Sequence, residues 1–249
     1  MLVRAQDGGA LAIGQLSHSW LSGQLARAWG NDRFPPPQPR EDVILGAEQH
    51  DTGWALFDLE PKLNSETGLP RGFLELSAEE HLAIWRGAPD RLVSQSLHAA
   101  HVVSMHGSSL SELRSKAAPD QAPLLQAHID EEHERQQRIR EVIGLSSEQA
   151  DRTRRQMWTW DGLSLALCLG WRPFTASDVP TRDGVVDMQL TDLGDGAATL
   201  EPWPMADERV ELRCEARRLP SRYEDEEELR GAFARAQPIA LSFTLAASG

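Results

Sequence analysis

Four histidines and two aspartates in this chain have the residue types and the order of a metal-binding set. In chain order they are His18, the adjacent pair His50 and Asp51, then His81, His106 and Asp161. Imidazole and carboxylate ligands without a thiolate suit Fe, Mn, Co, Ni or Zn better than Ca or Mg. Six such side chains on converging helices predict a site for two divalent transition-metal ions, whose identity the ligand types leave open.

The pair His50 and Asp51 constrains the shape of such a site. Neighbouring residues on a helix point about 100° apart, so both side chains can be used only inside a site that surrounds them. A carboxylate there can bridge two ions while its neighbour binds one, and this makes Asp51 the candidate catalytic residue. A buried carboxylate such as Asp161, set among apolar neighbours, is costly unless it is paired or bound to a metal. The simpler alternatives are satisfied core histidines and, for Asp161, a helix-capping or arginine-paired role.

The apolar spacing before residue 171 is typical of helices that would carry these ligands. A first helix holds His18, and residues 41–54 extend a second one through His50. Ser77 and Glu80 form a capping box that opens a helix containing His81. A helix from Pro89 reaches His106. Further helices are predicted over 121–143 and, after a second capping box that begins at Ser146, through Asp161 to residue 169.

From residue 185 onward the apolar period changes to two. Residues 210–216 and 239–245 predict half-buried strands, residues 194–196 a hairpin turn and residues 226–236 a short helix. The fold class expected is therefore mainly α. It consists of a helical metal-binding domain over 1–172 and a β-rich C-terminal appendage over 173–249 that packs on it.

Composition excludes some partners. The net charge of −13 argues against a nucleic-acid-binding surface, which needs clustered Lys and Arg. No apolar run reaches the length of a membrane span, and the first residues lack the apolar stretch of a signal peptide, so a cytoplasmic location is expected. Cys168 lies in an apolar run and is predicted to be a buried free thiol. The expected partner is a small-molecule substrate, and the oligomeric state stays open.

At its six candidate ligands the chain resembles the HD superfamily of helical metalloenzymes. It resembles more closely the domain of unknown function 3891 family. The matching stretches are His18-x-x-Leu-Ser-x-x-Leu-Ala-x-x-Trp-Gly30, His50-Asp-x-Gly-Trp54, Gly68-x-Pro-x-x-Phe73, Val103-Ser-x-His106, Asp161-x-Leu-Ser-Leu165 and Pro202-Trp-Pro204. The HD resemblance implies an HD-like helical domain in which His18, His50, Asp51 and Asp161 hold one ion. Asp51 would bridge to a second ion, held by His81 and His106.

Two chemistries and one non-catalytic role are compatible with this set. The first is hydrolysis of a small phosphoester, for which two metals would generate a hydroxide and clamp the phosphoryl oxygens. Lys62, Arg71 or Arg27 would then supply cations, and Trp54 is a further candidate for substrate contact, although each has a simpler interpretation as a surface charge or a core residue. The second is oxidation of a small molecule by O₂, since the resemblance extends to diiron oxygenases of the HD type. The third is a metal-binding or partner-binding protein without activity.

Four other histidines are alternatives to this set. His98 and His101 compete with His106 for the same role. His128 and His133 lie among glutamates and are expected to be solvated.

Overall fold

Strands from both ends of the chain form a single sheet in the computed structural model, which describes residues 1–248. In chain order the strands are β1 (Leu2–Gln6), β2 (Gly9–Ile13), β3 (Leu63–Asn64), β4 (Leu69–Pro70), β5 (Phe174–Pro180), β6 (Val185–Gly194), β7 (Ala197–Glu201), β8 (Arg209–Leu219) and β9 (Pro238–Ala247). The short strands β3 and β4 pair only with each other. The remaining seven form a curled sheet in the order β1-β2-β8-β9-β7-β6-β5.

All neighbouring strands of this sheet are antiparallel except β7 and β9, which run parallel. The pairing of β2 with β8, in which Ala10 lies opposite Leu219, joins the N-terminal hairpin to the C-terminal strands. The predicted turn between β6 and β7 is present. Asp195 has a φ of 49° there, between Gly194 and Gly196, whose φ values are also positive. Such angles are typical of tight hairpin connections.

Seven helices complete the described chain. They are α1 (Gln15–Ala28), α2 (Arg40–Glu48), α3 (Ala78–Trp85), α4 (Leu97–Ala117), α5 (Ala122–Ile143), α6 (Ser147–Leu169) and α7 (Glu226–Arg235). Both predicted capping boxes are confirmed, with Ser77 and Glu80 at the start of α3 and Ser146 and Gln149 at the start of α6. No helix among residues 1–248 has the length and apolar character needed to cross a membrane.

The main hydrophobic core lies between the helices and the sheet. It joins Leu21 and Leu25 of α1 and Leu163 and Leu167 of α6 to buried residues of β1, β2 and β5–β9. Cys168 and Cys214 belong to the same core, and both are free and buried, as predicted for Cys168. The domain boundary predicted between residues 172 and 173 stays a prediction. The hydrophobic core contains residues from both sides of that position.

The expected fold class, mainly α with an HD-like helical domain and a C-terminal β appendage, is wrong. The chain is 49% helical and 24% strand, and its seven-stranded sheet gives an α+β fold. Strands β1 and β2 were not predicted. All five residues of β2 are buried, so this strand has no alternation of apolar and polar residues. Without that alternation, a short apolar run cannot be assigned to a strand from its period.

Two helix boundaries also differ from the prediction. Helix α2 ends at Glu48, so His50 and Asp51 lie in the turn that follows it rather than on a helix. Residues Pro89–Arg91 form a single 3-10 turn, and α4 begins only at Leu97. Ser96 marks that start, because its hydroxyl accepts a hydrogen bond from the Ala99 backbone.

A chain ended after residue 172 should not fold as an independent helical domain. Removing β5–β9 would leave β2 without β8 and expose the apolar faces of α1 and α6. We expect the shortened protein to aggregate or to unfold without a cooperative transition, as followed by circular dichroism during heating. A soluble fragment that melts cooperatively would instead show that the helices have a sufficient core of their own.

Candidate metal centre

Four elements bring five of the predicted ligands into one buried cluster. Helix α1 supplies His18, the turn after α2 supplies His50 and Asp51, α4 supplies His106 and α6 supplies Asp161. Each of the five residues is at most 7% exposed. Two groups in this cluster offer ligand atoms that all lie within 4.8 Å of one another: His18 with His50 and Asp51, and His50 with His106 and Asp161.

The imidazole nitrogens of His18 and His50 face the two carboxylates. His18 Nε2 lies 3.1 Å from Asp51 Oδ2 and 3.6 Å from Asp161 Oδ1. His50 Nε2 lies 3.6 Å and 3.4 Å from the same two oxygens. The His106 ring packs edge-on to that of His50, with 4.5 Å between the ring centroids. Two nitrogens and two oxygens thus surround one point.

The turn after α2 explains how adjacent residues can both face this point. Asp51 has φ −104° and ψ 22°, outside the helical region, and precedes a 3-10 turn over Thr52–Trp54. Because this backbone is not helical, the side chains of His50 and Asp51 do not have to point about 100° apart. Gly53 allows α3 to approach, since a Cβ at that position would overlap the carbonyl oxygen of Ile84. In the pattern His50-Asp-x-Gly, the glycine is thus required for packing, and the first two residues are the candidate ligands.

Hydrogen bonds behind the rings of His18 and His50 select their tautomers. His50 Nδ1 donates to the Ala47 carbonyl at 2.9 Å, which leaves Nε2 with its lone pair toward the carboxylates when the ring is neutral. Ser164 Oγ donates its hydrogen to the Asp161 carbonyl at 2.9 Å. It therefore accepts from His18 Nδ1 at 2.7 Å, while His18 Nε2 is hydrogen-bonded to Asp51 Oδ2 at 3.1 Å, on the side of the ring where a cation would lie. Metal-binding histidines generally have a hydrogen-bond acceptor at the other ring nitrogen.

The donors of the cluster fit a transition-metal ion. His50 Nε2 and His106 Nδ1 are buried and have no hydrogen-bond partner among the described residues. Buried polar atoms without a partner are rare and costly, and an ion is one way to satisfy them. Two imidazoles with fixed tautomers and two carboxylates are a suitable ligand set for Fe, Mn, Co, Ni or Zn.

The charges of the cluster show the same requirement for a cation. Burial lowers the pKa of His50, but the carboxylates of Asp51 and Asp161 outweigh burial and raise it to about 9. Burial raises the pKa values of both aspartates, yet the facing histidines lower them below the ordinary range. Burial and the neighbouring His50 lower the pKa of His106 to about 4. Without a metal, the proton on His50 therefore offsets one of the two negative charges of the buried carboxylates.

The sixth predicted ligand, His81, stands apart from this arrangement. It lies on α3, belongs to neither group of converging ligand atoms, and stacks on Trp85 with 4.8 Å between ring centroids. Its Nδ1 lies 2.5 Å from Nη1 of Arg114. Burial, then the Arg114 charge, lower the pKa of His81 to about 4, against smaller opposing effects of the Phe73 carbonyl and Asp51.

A cavity of about 360 Å³ opens above the cluster. His18, Asp51, His106 and Asp161 line its base, His81 and Arg114 line its wall, and most of the remaining lining is apolar. These apolar side chains are Trp54, Phe73, Leu74, Trp85, Leu110, Leu113, Ala117, Ala118 and Leu165.

The predicted substrate contacts occupy two different environments. Trp54 is buried and lines this cavity. Lys62 and Arg71 do not line it, and both instead pair with Glu80. Arg27 pairs with Glu41 and Glu48 on the surface.

The alternative histidines lie outside the cluster. His101 is buried with Ala99, Ala100 and Val103 nearby in α4, and neither it nor His98 joins a group of converging ligand atoms. His133 is exposed and pairs with Glu112. The prediction that His128 is solvated is wrong, because its side of α5 packs against α4 and the residue is only 1% exposed.

Two residues of the site were missed from the sequence. Ser164 follows Asp161 by three positions, so one helical turn brings its hydroxyl to the backbone carbonyl of Asp161 and beside His18, and this spacing was an available signal. Arg114 carried no such signal. It lies near the end of α4, and its side chain reaches His81 on α3, which is 33 positions earlier in the chain.

A family model described as "Protein of unknown function (DUF3891)" matches residues 1–221. The chain belongs to the DUF3891 family. No curated protein matches the chain, and no solved structure matches it either. Membership in DUF3891 thus brings no activity with it, and function has to be argued from the site.

Replacing Ser164 with alanine should weaken metal binding without unfolding the protein. His18 would lose the acceptor that fixes its ring and tautomer, and loss of such outer contacts lowers metal affinity about 10–100-fold. Competition with a chromogenic chelator measures this change. Ser111→Ala is the matched control, because Ser111 is equally buried on α4 but lies outside the cluster. Equal affinities of the two variants would contradict the role of Ser164.

Replacing Gly53 with alanine should destabilise the turn that carries His50 and Asp51. The added methyl group collides with backbone atoms of α3, which cannot move as a flexible side chain can. Overpacking of this kind costs about 1–3 kcal/mol. Urea unfolding measures the free energy of unfolding. Gly14→Ala is the control, because Gly14 also lacks a positive φ and an added Cβ there would make only an ordinary contact of 3.5 Å with Asp58. A Gly53→Ala protein as stable as the wild type would contradict the close approach.

Proposed function

We propose that this protein is a metal-dependent phosphohydrolase that acts on a small phosphoester. The observation that carries the proposal is that Nε2 of both His18 and His50 lies within 3.6 Å of carboxylate oxygens of Asp51 and Asp161. His18 and both aspartates line a cavity that opens above them. The order of these residues resembles the ligand order of the HD superfamily, and this resemblance supports the same chemistry. The α+β fold means that the resemblance concerns the ligand set and not the whole architecture.

The four residues would hold one ion through two imidazole nitrogens and two carboxylates. A divalent ion bound there would supply Lewis-acid activation of water near neutral pH and would neutralise charge on a phosphoryl group. Asp51 and Asp161 stay ionised in the folded protein because the neighbouring histidines lower their pKa values. His18 and His50 keep Nε2 toward the ion through the bonds to Ser164 and Ala47. The predicted second ion would need His81 and His106.

The cavity indicates the kind of ester. Its apolar walls, with Trp54 and Phe73 among them, suit an aromatic or aliphatic organic group rather than a strongly charged one. Arg114 is its one guanidinium, and it lies on the wall beside His81. A monoester with a single phosphate and an apolar leaving group fits this distribution of charge.

The second candidate is oxidation of a small apolar molecule by O₂ at an iron centre. One observation favours it: aromatic and aliphatic side chains make up most of the cavity lining, which suits an apolar substrate. Histidine and carboxylate ligands also suit iron as well as they suit the metals of hydrolases. Oxygen consumption by iron-loaded protein would support this candidate over hydrolysis.

Replacing Asp51 with asparagine should abolish metal binding and hydrolysis together. The change removes one of the two charges that the ion requires while keeping the size of the side chain. Metal content by elemental analysis and turnover of aromatic phosphomonoesters by Mn-, Co- or Zn-loaded protein test this expectation. Asp130→Asn, at an exposed position on α5, is the control. An Asp51→Asn protein with full metal content would contradict the assignment, and a metal-loaded wild type inactive on every phosphoester would contradict the hydrolase.

A further inference from the structure

The pair formed by His81 and Arg114 has a chemistry that differs from the rest of the cluster. A guanidinium has five N–H donors and no acceptor. When His81 Nδ1 lies 2.5 Å from Arg114 Nη1, that nitrogen must therefore be the acceptor. A neutral ring that accepts at Nδ1 carries its hydrogen on Nε2. His81 is thus fixed in the tautomer opposite to that of His18 and His50.

This tautomer is unsuitable for binding a metal through Nε2. A ligating nitrogen needs its lone pair, and in His81 the lone pair of Nε2 is absent because a hydrogen is bonded there. To reverse the ring, Nδ1 would have to carry a hydrogen and face a guanidinium that cannot accept it. His81 is also missing from both groups of converging ligand atoms.

Arg114 is held firmly enough to impose this choice. Its Nη2 donates to the Leu76 carbonyl at 2.9 Å, and its Nε donates to Gln121 Oε1 at 3.1 Å. With the bond to His81 these use three of its five N–H groups. No carboxylate lies within 4.0 Å of it among residues 1–248, so its charge is not neutralised by an ion pair there. Both His81 and Arg114 line the cavity above the cluster.

We propose that His81 and Arg114 form the site for an anionic oxygen of the substrate, and that His81 does not hold a second metal ion. The remaining N–H groups of Arg114 would donate to this oxygen together with Nε2–H of His81, which the substrate oxygen would share with the nearby Phe73 carbonyl. The four-residue set would hold a single ion. The inference rests on the proposed function, because it places the phosphate group between the ion and this pair. Trp85 orients the ring of His81 by stacking on it.

Binding of zinc and of inorganic phosphate tests the two halves of this proposal separately. We expect wild-type protein to hold one zinc per chain, and His81→Leu to hold the same amount. Phosphate affinity of the zinc-loaded protein, measured by calorimetry, should fall about tenfold or more in His81→Leu and in Arg114→Gln, since each loses a charge-assisted or polar donor. His81→Gln, which keeps an N–H donor, should recover part of this loss.

Matched substitutions at exposed positions serve as controls. His133→Gln and Arg86→Gln change the same residue types in surface pairs with Glu112 and Glu131, and should leave zinc and phosphate binding unchanged. Loss of one of two zinc ions in His81→Leu would overturn the inference and restore His81 as a ligand. Unchanged phosphate affinity in both cavity variants would overturn it as well. A wild type that binds no zinc would instead overturn the metal centre itself.

The ring tautomer of His81 provides a readout that does not depend on a variant's folding. Long-range ¹H–¹⁵N spectra of zinc-loaded wild-type protein distinguish a hydrogen on Nε2 from one on Nδ1. We expect His81 to show Nε2–H, whereas His18 and His50 show Nδ1–H. A His81 ring protonated at Nδ1 would overturn the proposal.

Discussion

The burial of two carboxylates at one point is the constraint on which the rest of this structure depends. Asp51 and Asp161 are 5% and 7% exposed, and each would cost several kcal/mol to bury without compensation. The nitrogens of His18 and His50 face both of them, and the structure fixes those nitrogens from behind with Ser164 and Ala47. An arrangement of this kind supplies negative charge and oriented lone pairs at the same place, which is what a divalent cation requires.

The sheet contributes to the site indirectly, by holding the helices that carry the ligands. Helices α1 and α6 pack on the curled sheet through one continuous core, and they supply His18 and Asp161. The turn after α2 and helix α4 then bring in the remaining cluster residues from the opposite side. Strands from both ends of the chain therefore help to position the cluster, although they contribute no side chain to it.

Residue types and spacing predicted individual helices and strands but not the sheet that joins them. The capping boxes before α3 and α6, the strands β8 and β9 and the helices α5 and α7 all carry local signals, and these elements form as expected. Strand β2 carries no such signal because it is buried on both faces. The sheet itself depends on pairing residues 10–12 with residues 217–219, a contact that no local pattern encodes.

The features of the site that the sequence did not predict also depend on contacts between residues far apart in the chain. His50 and Asp51 lie beside His18 and Asp161 in the structure. The prediction placed them on a helix, but α2 ends at Glu48, and the apolar spacing before them does not indicate that end. Grouping His81 with the metal ligands depended on residue type and order alone. The contact with Arg114, which distinguishes a donor from a ligand, joins α3 to the far end of α4 and exists only in three dimensions.

The most direct test of the account is the metal content of full-length protein purified without a histidine tag and without added metal. Elemental analysis after extensive dialysis should find one first-row transition-metal ion per chain, because buried ligands release an ion slowly. Iron would direct further work to oxygen chemistry, and Mn, Co, Ni or Zn to hydrolysis. A protein that is metal-free as purified and stays so after reconstitution would contradict the central claim that this cluster is a metal centre.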